Sequence, residues 1–103
     1  MTSSYVLLAE AEADLRAILR HTRKRWGDDQ ARTYAATLHR CIERMAAGQS
    51  SKRDLGALYP GLLVTRCEHH FIFCLPREGA SALIAAMFHE RMDMMVRLAD
   101  RLR

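Results

Sequence analysis

The stretch RWGDDQARTYAATLHRCIERM, residues 25–45, decides the fold of this chain. After Gly27, its apolar residues recur at steps of three and four, the spacing that places side chains on one face of an α-helix. This stripe consists of Ala31, Tyr34, Ala35, Leu38, Cys41, Ile42 and Met45. The polar face opposite carries Arg32, His39, Arg40 and Glu43. The stretch therefore predicts an amphipathic helix that ends at Gly48.

A second amphipathic helix precedes Gly27. Its stripe consists of Ala11, Leu15, Ile18, Thr22 and Trp26. Gly27 can supply the left-handed residue that closes this helix, and Asp28 is a suitable N-cap for the next one. Because the break is so short, the two helices must fold back on each other as a hairpin. We expect the ring of Trp26 to be buried, since an aromatic anchor of this size dominates a small core.

Short runs rich in β-branched or aromatic residues predict strands on both sides of the hairpin. Residues 5–8 form one such run ahead of the first helix. Three more runs, which predict an antiparallel meander, are residues 62–67, 71–75 and 82–88. The breaks between them are Glu68-His69-His70 and Pro76-Arg77-Glu78-Gly79. The apolar residues in the stretch 48–61 follow neither the helical spacing nor the alternation of a strand, so this stretch is interpreted as a surface loop.

The tail, residues 92–103, has helical spacing and predicts a short C-terminal helix or a docked segment. Its spaced apolar residues are Met92, Met95, Val96, Ala99 and Leu102. The order strand, helical hairpin, loop and three-stranded meander predicts one α+β domain over residues 1–103, with one sheet face on the hairpin. The other face would then be open. We expect a partner or substrate to bind that face, its flanking loops and the terminal segment.

Composition limits the class of protein. A chain of 103 residues, 50% of them apolar, can bury one modest core. The formal charge of +4 favours an acidic partner, whether nucleic acid, peptide or protein surface. No apolar run approaches the roughly 20 residues of a membrane span, and no basic region leads into an apolar signal segment. We therefore expect a soluble, cytoplasmic protein.

The cysteines Cys41, Cys67 and Cys74 are odd in number and irregularly spaced. They predict reduced thiols in a reducing compartment, each packed as a small hydrophobic residue. Cys67 and Cys74, with His69 and His70 between them, lack the paired spacing of established zinc sites. We expect no metal or other cofactor, a packed His70 and a solvated His69.

Four segments together resemble the ParE toxins, the toxin halves of bacterial type II toxin-antitoxin modules within the ParE/RelE superfamily. The segments are residues 11–15 with Ile18, residues 25–27 with Gln30, Ala31 and Tyr34, Arg66 ahead of residues 70–73, and residues 89–93. The first segment is weak alone. The tryptophan-glycine turn combined with the terminal His-x-Arg-Met-Asp is specific. The resemblance spans nearly the whole chain in the family's order.

The resemblance implies growth arrest through inhibition of DNA gyrase, in a plasmid-stabilising toxin-antitoxin system. It also implies a hetero-oligomer with a ParD-like antitoxin whose extended segment wraps the toxin. The resemblance implies no membrane partner, and it implies that DNA is contacted only through the antitoxin or gyrase. We expect the antitoxin to dock along the hairpin and the sheet. The residues assigned to it are Leu15, Ile18, Trp26, Tyr34 and Arg66.

The stretch HERMDMM, residues 89–95, is either a catalytic cluster or a contact surface for the target. Methionine is flexible and polarizable and cannot transfer a proton, which favours contact. His89 alone would lack a partner for proton transfer. The residues expected to bind the target are His89, Arg91, Met92, Met94 and Met95. A local ion pair between Arg91 and Asp93 is the structural alternative.

Two other functions stay open. A RelE-like ribosome-dependent mRNA endoribonuclease would use Arg66 and Arg91 to stabilise phosphorane charge and His89 to shuttle a proton. Many RelE-type enzymes use a tyrosine near the C-terminus, where this chain has methionines. The third possibility is a degenerate toxin without toxicity, which only binds the antitoxin.

Overall fold

The computed structural model describes residues 5–102, so the ends of the predicted domain, residues 1–4 and 103, lie outside the described part. The elements are β1 (Tyr5–Leu7), α1 (Ala9–Trp26), α2 (Asp28–Ala46), β2 (Arg53–Asp54), β3 (Leu63–Cys67), β4 (His70–Arg77), β5 (Ala80–His89) and α3 (Met94–Arg101). The predicted α+β class, N-terminal strand, helical hairpin, meander and terminal helix are confirmed. Within residues 5–102, no helix is both long and apolar enough to cross a membrane.

The strands of the described chain form one mixed sheet in the order β1-β5-β4-β3-β2. β1 runs parallel to β5, with Tyr5 opposite Ala82. β2, β3, β4 and β5 pair antiparallel. The loop predicted over residues 48–61 therefore contains a short edge strand, in which Arg53 lies opposite Val64. Two residues are too few to show a period, which is why the sequence did not reveal this strand.

Both breaks in the meander are shorter than predicted. Cys67 lies opposite His70, and Arg77 lies opposite Ala80, so each hairpin loop has only two residues. Positive φ angles at Glu68 (55°) and Gly79 (71°) close these turns. Pro76 lies inside β4, where the register of the β4–β5 ladder shifts. A proline is tolerated at such a bulge because its missing N–H costs no ladder bond there.

The helical hairpin turns at Gly27, whose φ of 96° only glycine adopts without strain. The Gly27 N–H donates to the Arg23 carbonyl, and the Gly27 carbonyl accepts from the Ala31 N–H. Gly27 itself is the N-cap of α2, so the cap predicted at Asp28 is wrong. Asp28 instead begins α2 and forms an ion pair of 3.3 Å with the Arg23 Nε.

The first core lies between the hairpin and the sheet. The predicted stripe on α2 faces it, because Leu38 and Ile42 are each only 1% exposed. The buried sheet residues that these helices cover include Cys67, Ile72, Cys74, Ile84 and Met87. The strongest periodic signal in the sequence thus identifies the main buried face correctly.

A second core covers the sheet face that was expected to be open. It consists of Leu62, Val64, Phe73, Ala86, Phe88 and Leu98, with Leu98 contributed by α3. The prediction of an open face is therefore wrong. Residues 84–88 of β5 are all buried, whereas a strand with one wet face alternates between buried and exposed residues.

Two predicted orientations are also wrong. Trp26 is 66% exposed, because it is the last residue of α1 and ends at the tip of the hairpin, where the Arg25 guanidinium lies over its ring. On α3, Leu98 is buried while Met95 and Val96 are exposed. The apolar stripe expected to dock α3 therefore faces solvent on its N-terminal part.

The prediction of three reduced cysteines is wrong for two of them. Cys41 of α2 and Cys67 of β3 form a disulfide, and Cys74 is a free, buried thiol. The sequence separation of 26 gave no sign of this pairing, because it depends on which turn of α2 faces which residue of β3.

Candidate functional site

The ends of α2, β4 and β5 bring one tyrosine and three histidines together. We name Tyr34, His69, His70 and His89 the histidine cluster. His70 and His89 are directly opposite each other in the β4–β5 ladder, and their ring centroids are 5.1 Å apart in an edge-on arrangement. Tyr34 reaches the pair from the sheet-facing stripe of α2, and its hydroxyl lies 2.6 Å from the His70 Nδ1.

The hydrogen bonds in the histidine cluster have a consistent direction. The His69 backbone N–H donates to the Tyr34 hydroxyl over 3.3 Å, and that hydroxyl can donate to the unprotonated His70 Nδ1. Burial, with smaller contributions from His89 and His69, lowers the pKa of His70 to about 4. Burial also raises the pKa of Tyr34. His70 is therefore neutral near pH 7 and packs in the strand as predicted.

Glu90 links Arg66 to the histidine cluster through His69. Its carboxylate accepts from the Arg66 Nη2 at 3.0 Å and lies 2.9 Å from the His69 Nδ1. The Arg66 Nε donates to the Glu68 carbonyl. The hydrogen bond from His69, followed by the charge of Arg66, lowers the pKa of Glu90. Arg66 is thus already paired, and His69, although exposed, is not simply solvated.

The sequence pattern contains Glu90 only as part of the terminal motif and did not predict this role. The strand register contained the signal, because Glu90 follows the β5 residue opposite His70 and so comes opposite His69. The Glu90 N–H donates to the His69 carbonyl at 2.9 Å, which extends the ladder by one step. Placing Glu90 from sequence would have required the exact β4–β5 register.

The segment after β5 presents a different surface. The Arg91 N–H donates to the His89 Nδ1 at 3.0 Å, so this ring nitrogen is already used as an acceptor. Asp93 accepts from the Val96 N–H and caps α3, so the alternative Arg91–Asp93 ion pair does not form. Among residues 5–102, the Arg91 side chain has no ion-pair partner and is exposed.

We name Arg91, Met92, Met95 and Val96 the terminal patch. The three apolar side chains are 43%, 47% and 57% exposed, respectively. Met94, also predicted to bind the target, is half-buried and packs against the second core. Val96 was not among the predicted site residues, although it belonged to the helical stripe. Of the residues predicted to bind the target, Met92 and Met95 are therefore exposed beside Val96, whereas Met94 packs inward.

Arg101 holds α3, and hence the terminal patch, in place. Its guanidinium forms two hydrogen bonds to the Asp14 carboxylate of α1, at 3.0 and 3.1 Å, and donates to the Ala85 carbonyl. The Arg101 Nε also lies 2.6 Å from the Glu10 carboxylate. Hydrogen bonding to Asp14 raises the pKa of Arg101. The role of Arg101 was not predictable from the sequence, because no local pattern links it to α1.

The residues predicted to bind an antitoxin do not form one patch. Leu15 and Ile18 are half-buried against the first core, and Tyr34 is bonded within the histidine cluster. Arg66 pairs with Glu90, whereas Trp26 lies at the hairpin tip. Between α1 and α2 there is also a groove of about 490 Å³, which the sequence did not predict. It is lined by Leu19, Arg23, Asp28, Ala31, Arg32 and Ala35.

The described part of the chain contains no group of three or more histidine, cysteine or acidic side chains arranged to hold a metal ion. Of the four residues considered for zinc, Cys67 is bonded to Cys41 and Cys74 is buried. His70 is bonded to Tyr34, and His69 to Glu90.

Comparison with known proteins relates this chain to one family. A family model for the ParE toxin of the parDE type II toxin-antitoxin system matches residues 5–94. Toxin ParE of Escherichia coli is 55% identical over 101 residues, which is 98% of each chain. Toxin ParE1 of Mycobacterium tuberculosis is 32% identical over 94 residues, 91% of this chain and 96% of the relative.

One solved structure has the same fold. It belongs to the chromosomal ParDE TA system from P. aeruginosa and superposes with a TM-score of 0.65 at 20% identity. The match covers 84% of this chain and 96% of that one. The helical hairpin and the sheet that position the histidine cluster and the terminal patch are therefore a fold already found in a solved structure.

Proposed function

Because the chain belongs to the ParE toxin family of type II toxin-antitoxin systems, we propose that it inhibits DNA gyrase and is neutralised by a ParD-like antitoxin. The family relation inferred from four sequence segments is confirmed. The target, the antitoxin and the contact residues are our proposal. Both partners act in the cytoplasm, which is where we place the toxin.

The terminal patch is the observation that carries the gyrase proposal. Three large apolar side chains, Met92, Met95 and Val96, are about half exposed beside the cation Arg91, which has no ion-pair partner within residues 5–102. Isolated exposed apolar residues are ordinary, but a cluster bordered by polar groups marks an interaction site. The methionines can adapt to the partner, and the Arg91 guanidinium can form a two-point contact with a carboxylate. His89 supports this surface by accepting from the Arg91 backbone.

Binding rather than catalysis also fits the state of the predicted catalytic groups. Arg66 is paired with Glu90, which reduces its ability to stabilise charge on a phosphate. The His89 Nδ1 is engaged by a backbone N–H, and the nearby His70 has a pKa of about 4, too low for a general base at neutral pH. We therefore propose a toxin that acts without an enzymatic step of its own.

The groove between α1 and α2 is our proposed antitoxin site, together with the half-buried Leu15 and Ile18 and the exposed Trp26. Its floor includes Leu19 and two alanines, and its rim carries Arg23 and Arg32. Both arginines are paired with exposed aspartates, at 3.3 and 3.1 Å. Exposed pairs of this kind contribute little, so carboxylates of a partner can replace them. We propose that a segment with acidic and apolar residues docks in this groove as an amphipathic helix.

The same segment, continued along the sheet, would reach Tyr34 and Arg66 beside the histidine cluster. A segment that is disordered when free can cover such separated contacts because it folds as it binds. We accordingly propose a hetero-oligomer of toxin and antitoxin, in which DNA is contacted only through the antitoxin or through gyrase.

One observation favours the ribonuclease alternative. The sequence lacks a C-terminal tyrosine, but the fold brings the Tyr34 hydroxyl to His70, next to His89. This hydroxyl, however, already makes two hydrogen bonds and is half-buried. The ribonuclease therefore remains the second candidate.

Growth after induced expression, with and without the antitoxin encoded next to the toxin gene, tests the proposal. Plasmid supercoiling by purified gyrase and the integrity of cellular RNA should be measured in parallel. We expect growth arrest, loss of supercoiling and intact RNA. Cleaved RNA with normal supercoiling would establish the ribonuclease. Normal growth with retained antitoxin binding would establish the degenerate toxin.

A further inference from the structure

Cys41 and Cys67 are joined across the first core. Cys41 lies half-buried on the sheet-facing stripe of α2, Cys67 is 2% exposed at the end of β3, and their Cα atoms are 6.2 Å apart. The bond lies between two elements of the proposed antitoxin site. Tyr34 precedes Cys41 by two helical turns, and Arg66 directly precedes Cys67.

We propose that Cys41 and Cys67 are a redox modification site, a dithiol that exchanges with small thiols and disulfides of the glutathione class and fixes α2 on β3 when oxidised. The proposal rests on the proposed function only for the compartment. Disulfides in cytosolic proteins are usually transient and act in catalysis or redox sensing. A disulfide in a cytoplasmic toxin therefore suggests two covalent states rather than one permanent bond.

The exchange is balanced in atoms and electrons. The Cys41 thiolate, the more exposed of the two, attacks one sulfur of the small disulfide and displaces one small thiolate. The Cys67 thiolate then attacks the Cys41 sulfur of this mixed disulfide and displaces the second small thiolate. Two protein thiols are oxidised, one small disulfide is reduced to two thiols, and the two protons pass to the displaced thiolates. Reduction is the reverse sequence with two small thiols.

The structure also accommodates the reduced state. The Cys67 sulfur lies 3.8 Å from the Thr37 carbonyl oxygen of α2. A Cys67 thiol can therefore donate a weak hydrogen bond to this oxygen, so that reduction leaves no buried donor without a partner. Leu38 and Ile42 remain packed against the sheet in either state, since they belong to the first core independently of the disulfide. We expect the same fold in both states, with a looser contact between α2 and β3 after reduction.

The stability that the disulfide adds depends on the length of the loop that it closes. A cross-link between residues separated by 26 positions removes conformational freedom mainly from the unfolded chain. For a domain of this size, the expected loss on reduction is roughly 10 °C or more in Tm. Amide hydrogen exchange should accelerate in the second half of α2 and in β3, while the contact of α3 with the second core should be unaffected.

The experiment uses the purified full chain in oxidised glutathione and in dithiothreitol. Mass spectrometry after alkylation in denaturant should show one blocked thiol in the oxidised protein and three in the reduced protein. Tm and amide exchange are measured in both states, and in the variant Cys41→Ala/Cys67→Ala. We expect the variant to lose its response to dithiothreitol. The change in amide exchange within the wild type should be largest in the second half of α2 and in β3.

Cys74→Ala is the matched control. Cys74 is fully buried, and burial raises its pKa to about 11, so it should not exchange. This variant should keep the full dithiothreitol-dependent shift in Tm. Three reactive thiols in the protein after oxidation, or equal Tm values in both states, would overturn the proposal. Gyrase and antitoxin are absent from the assay, so its outcome is independent of whether the proposed function is correct.

Discussion

Asp14 and Arg101, 87 positions apart, form a two-point ion pair that completes the edge of the sheet. β1 ends at Leu7, opposite Ile84, so on this side of β5 the described chain provides no further strand beyond Ile84. The Asp14 carboxylate accepts from the Met87 N–H, and the Arg101 guanidinium donates to the Ala85 carbonyl. The pair thus satisfies two backbone groups of β5 and attaches α3 to α1 at the same time.

Breaking this pair should destabilise the whole domain. Asp14 and Arg101 have side chains only 17% and 18% exposed, so removing the Asp14 charge leaves the nearly buried guanidinium with the exposed Glu10 as its remaining ion-pair partner. Asp14→Asn should lower the free energy of unfolding by about 2 to 4 kcal/mol, measured by urea denaturation. Arg16→Ala is the control, because its pair with Glu12 is exposed and should contribute below about 0.5 kcal/mol. Equal losses in both variants would contradict a special role for Asp14.

The elements that the sequence predicted correctly are those whose signal is local. The helical period of α2 identifies Leu38 and Ile42 as buried, and Gly27 marks the hairpin turn. The second core was also predictable in part, because the run 82–88 is apolar without alternation, which is typical of a strand buried on both faces. That run was interpreted only as a strand, and the expectation of an open face followed from this omission.

The features that the sequence did not predict depend on distances between elements. Trp26 is exposed because of the length of α1 relative to the sheet, which no local pattern gives. The Cys41–Cys67 bond depends on how α2 lies on β3, and the Asp14–Arg101 pair on where α3 returns. The terminal patch was predicted as a segment, but which of its side chains face inward depends on the position of Leu98 in the second core.

The first core should be sensitive to truncation. Leu38→Ala or Ile42→Ala should each lower the free energy of unfolding by roughly 2 to 5 kcal/mol, because each removes packed methyl groups and leaves a cavity. Thermal or urea unfolding measures this loss, and toxicity should fall with the folded fraction. Arg44→Ala on the exposed side of α2 should change stability by no more than about 0.5 kcal/mol. Unchanged stability in the leucine and isoleucine variants would mean that the buried face is assigned incorrectly.

The stability of the domain should fall between pH 6.5 and pH 4 because of His70. Its pKa is about 4 in the folded state against an ordinary value of 6.5, so the unfolded chain binds the proton first as the pH falls. Above pH 6.5, His70 is neutral in both the folded and the unfolded chain and costs no stability. As the pH falls to about 4, the free energy of unfolding decreases by at most about 3 kcal/mol. The charged or titratable groups around His70 include Tyr34, His89, His69, Glu90 and His21.

Urea denaturation across this pH range measures the slope. His70→Gln should flatten the dependence of unfolding free energy on pH. An identical slope in wild type and His70→Gln would show that another group causes the pH dependence.

The antitoxin should bind the hairpin through apolar contacts as well as charge. Trp26→Gln should weaken toxin–antitoxin affinity about tenfold or more, since an exposed aromatic ring is a typical anchor at an interface. Affinity should decrease only partly as salt is raised, because the apolar contacts are not screened. Isothermal titration at low and moderate salt measures both effects. Complete loss of binding in moderate salt, or full affinity in Trp26→Gln, would exclude this site.

The terminal patch should be required for toxicity but not for folding. Deleting residues 92–103 is a poor test, because it also removes Leu98 from the second core and Arg101 from Asp14. Met95→Gln/Val96→Gln leaves both in place and replaces each exposed apolar side chain with a polar amide. We expect this variant to lose gyrase inhibition at least tenfold, since burying two glutamines in an apolar contact is unfavourable, while Tm stays within a few degrees.

Arg91 and His89 distinguish the two mechanisms at the same patch. Arg91→Ala should weaken gyrase inhibition, and Arg91→Lys should restore it only in part, because lysine lacks the planar fork of the guanidinium. His89→Gln should have a smaller effect, since glutamine can still accept from the Arg91 N–H. Inhibition is measured by plasmid supercoiling, with Trp26→Gln as the control that should retain it. Complete loss in His89→Gln, with folding and antitoxin binding intact and RNA cleavage seen only in wild type, would favour the ribonuclease, because only proton transfer depends on the imidazole itself.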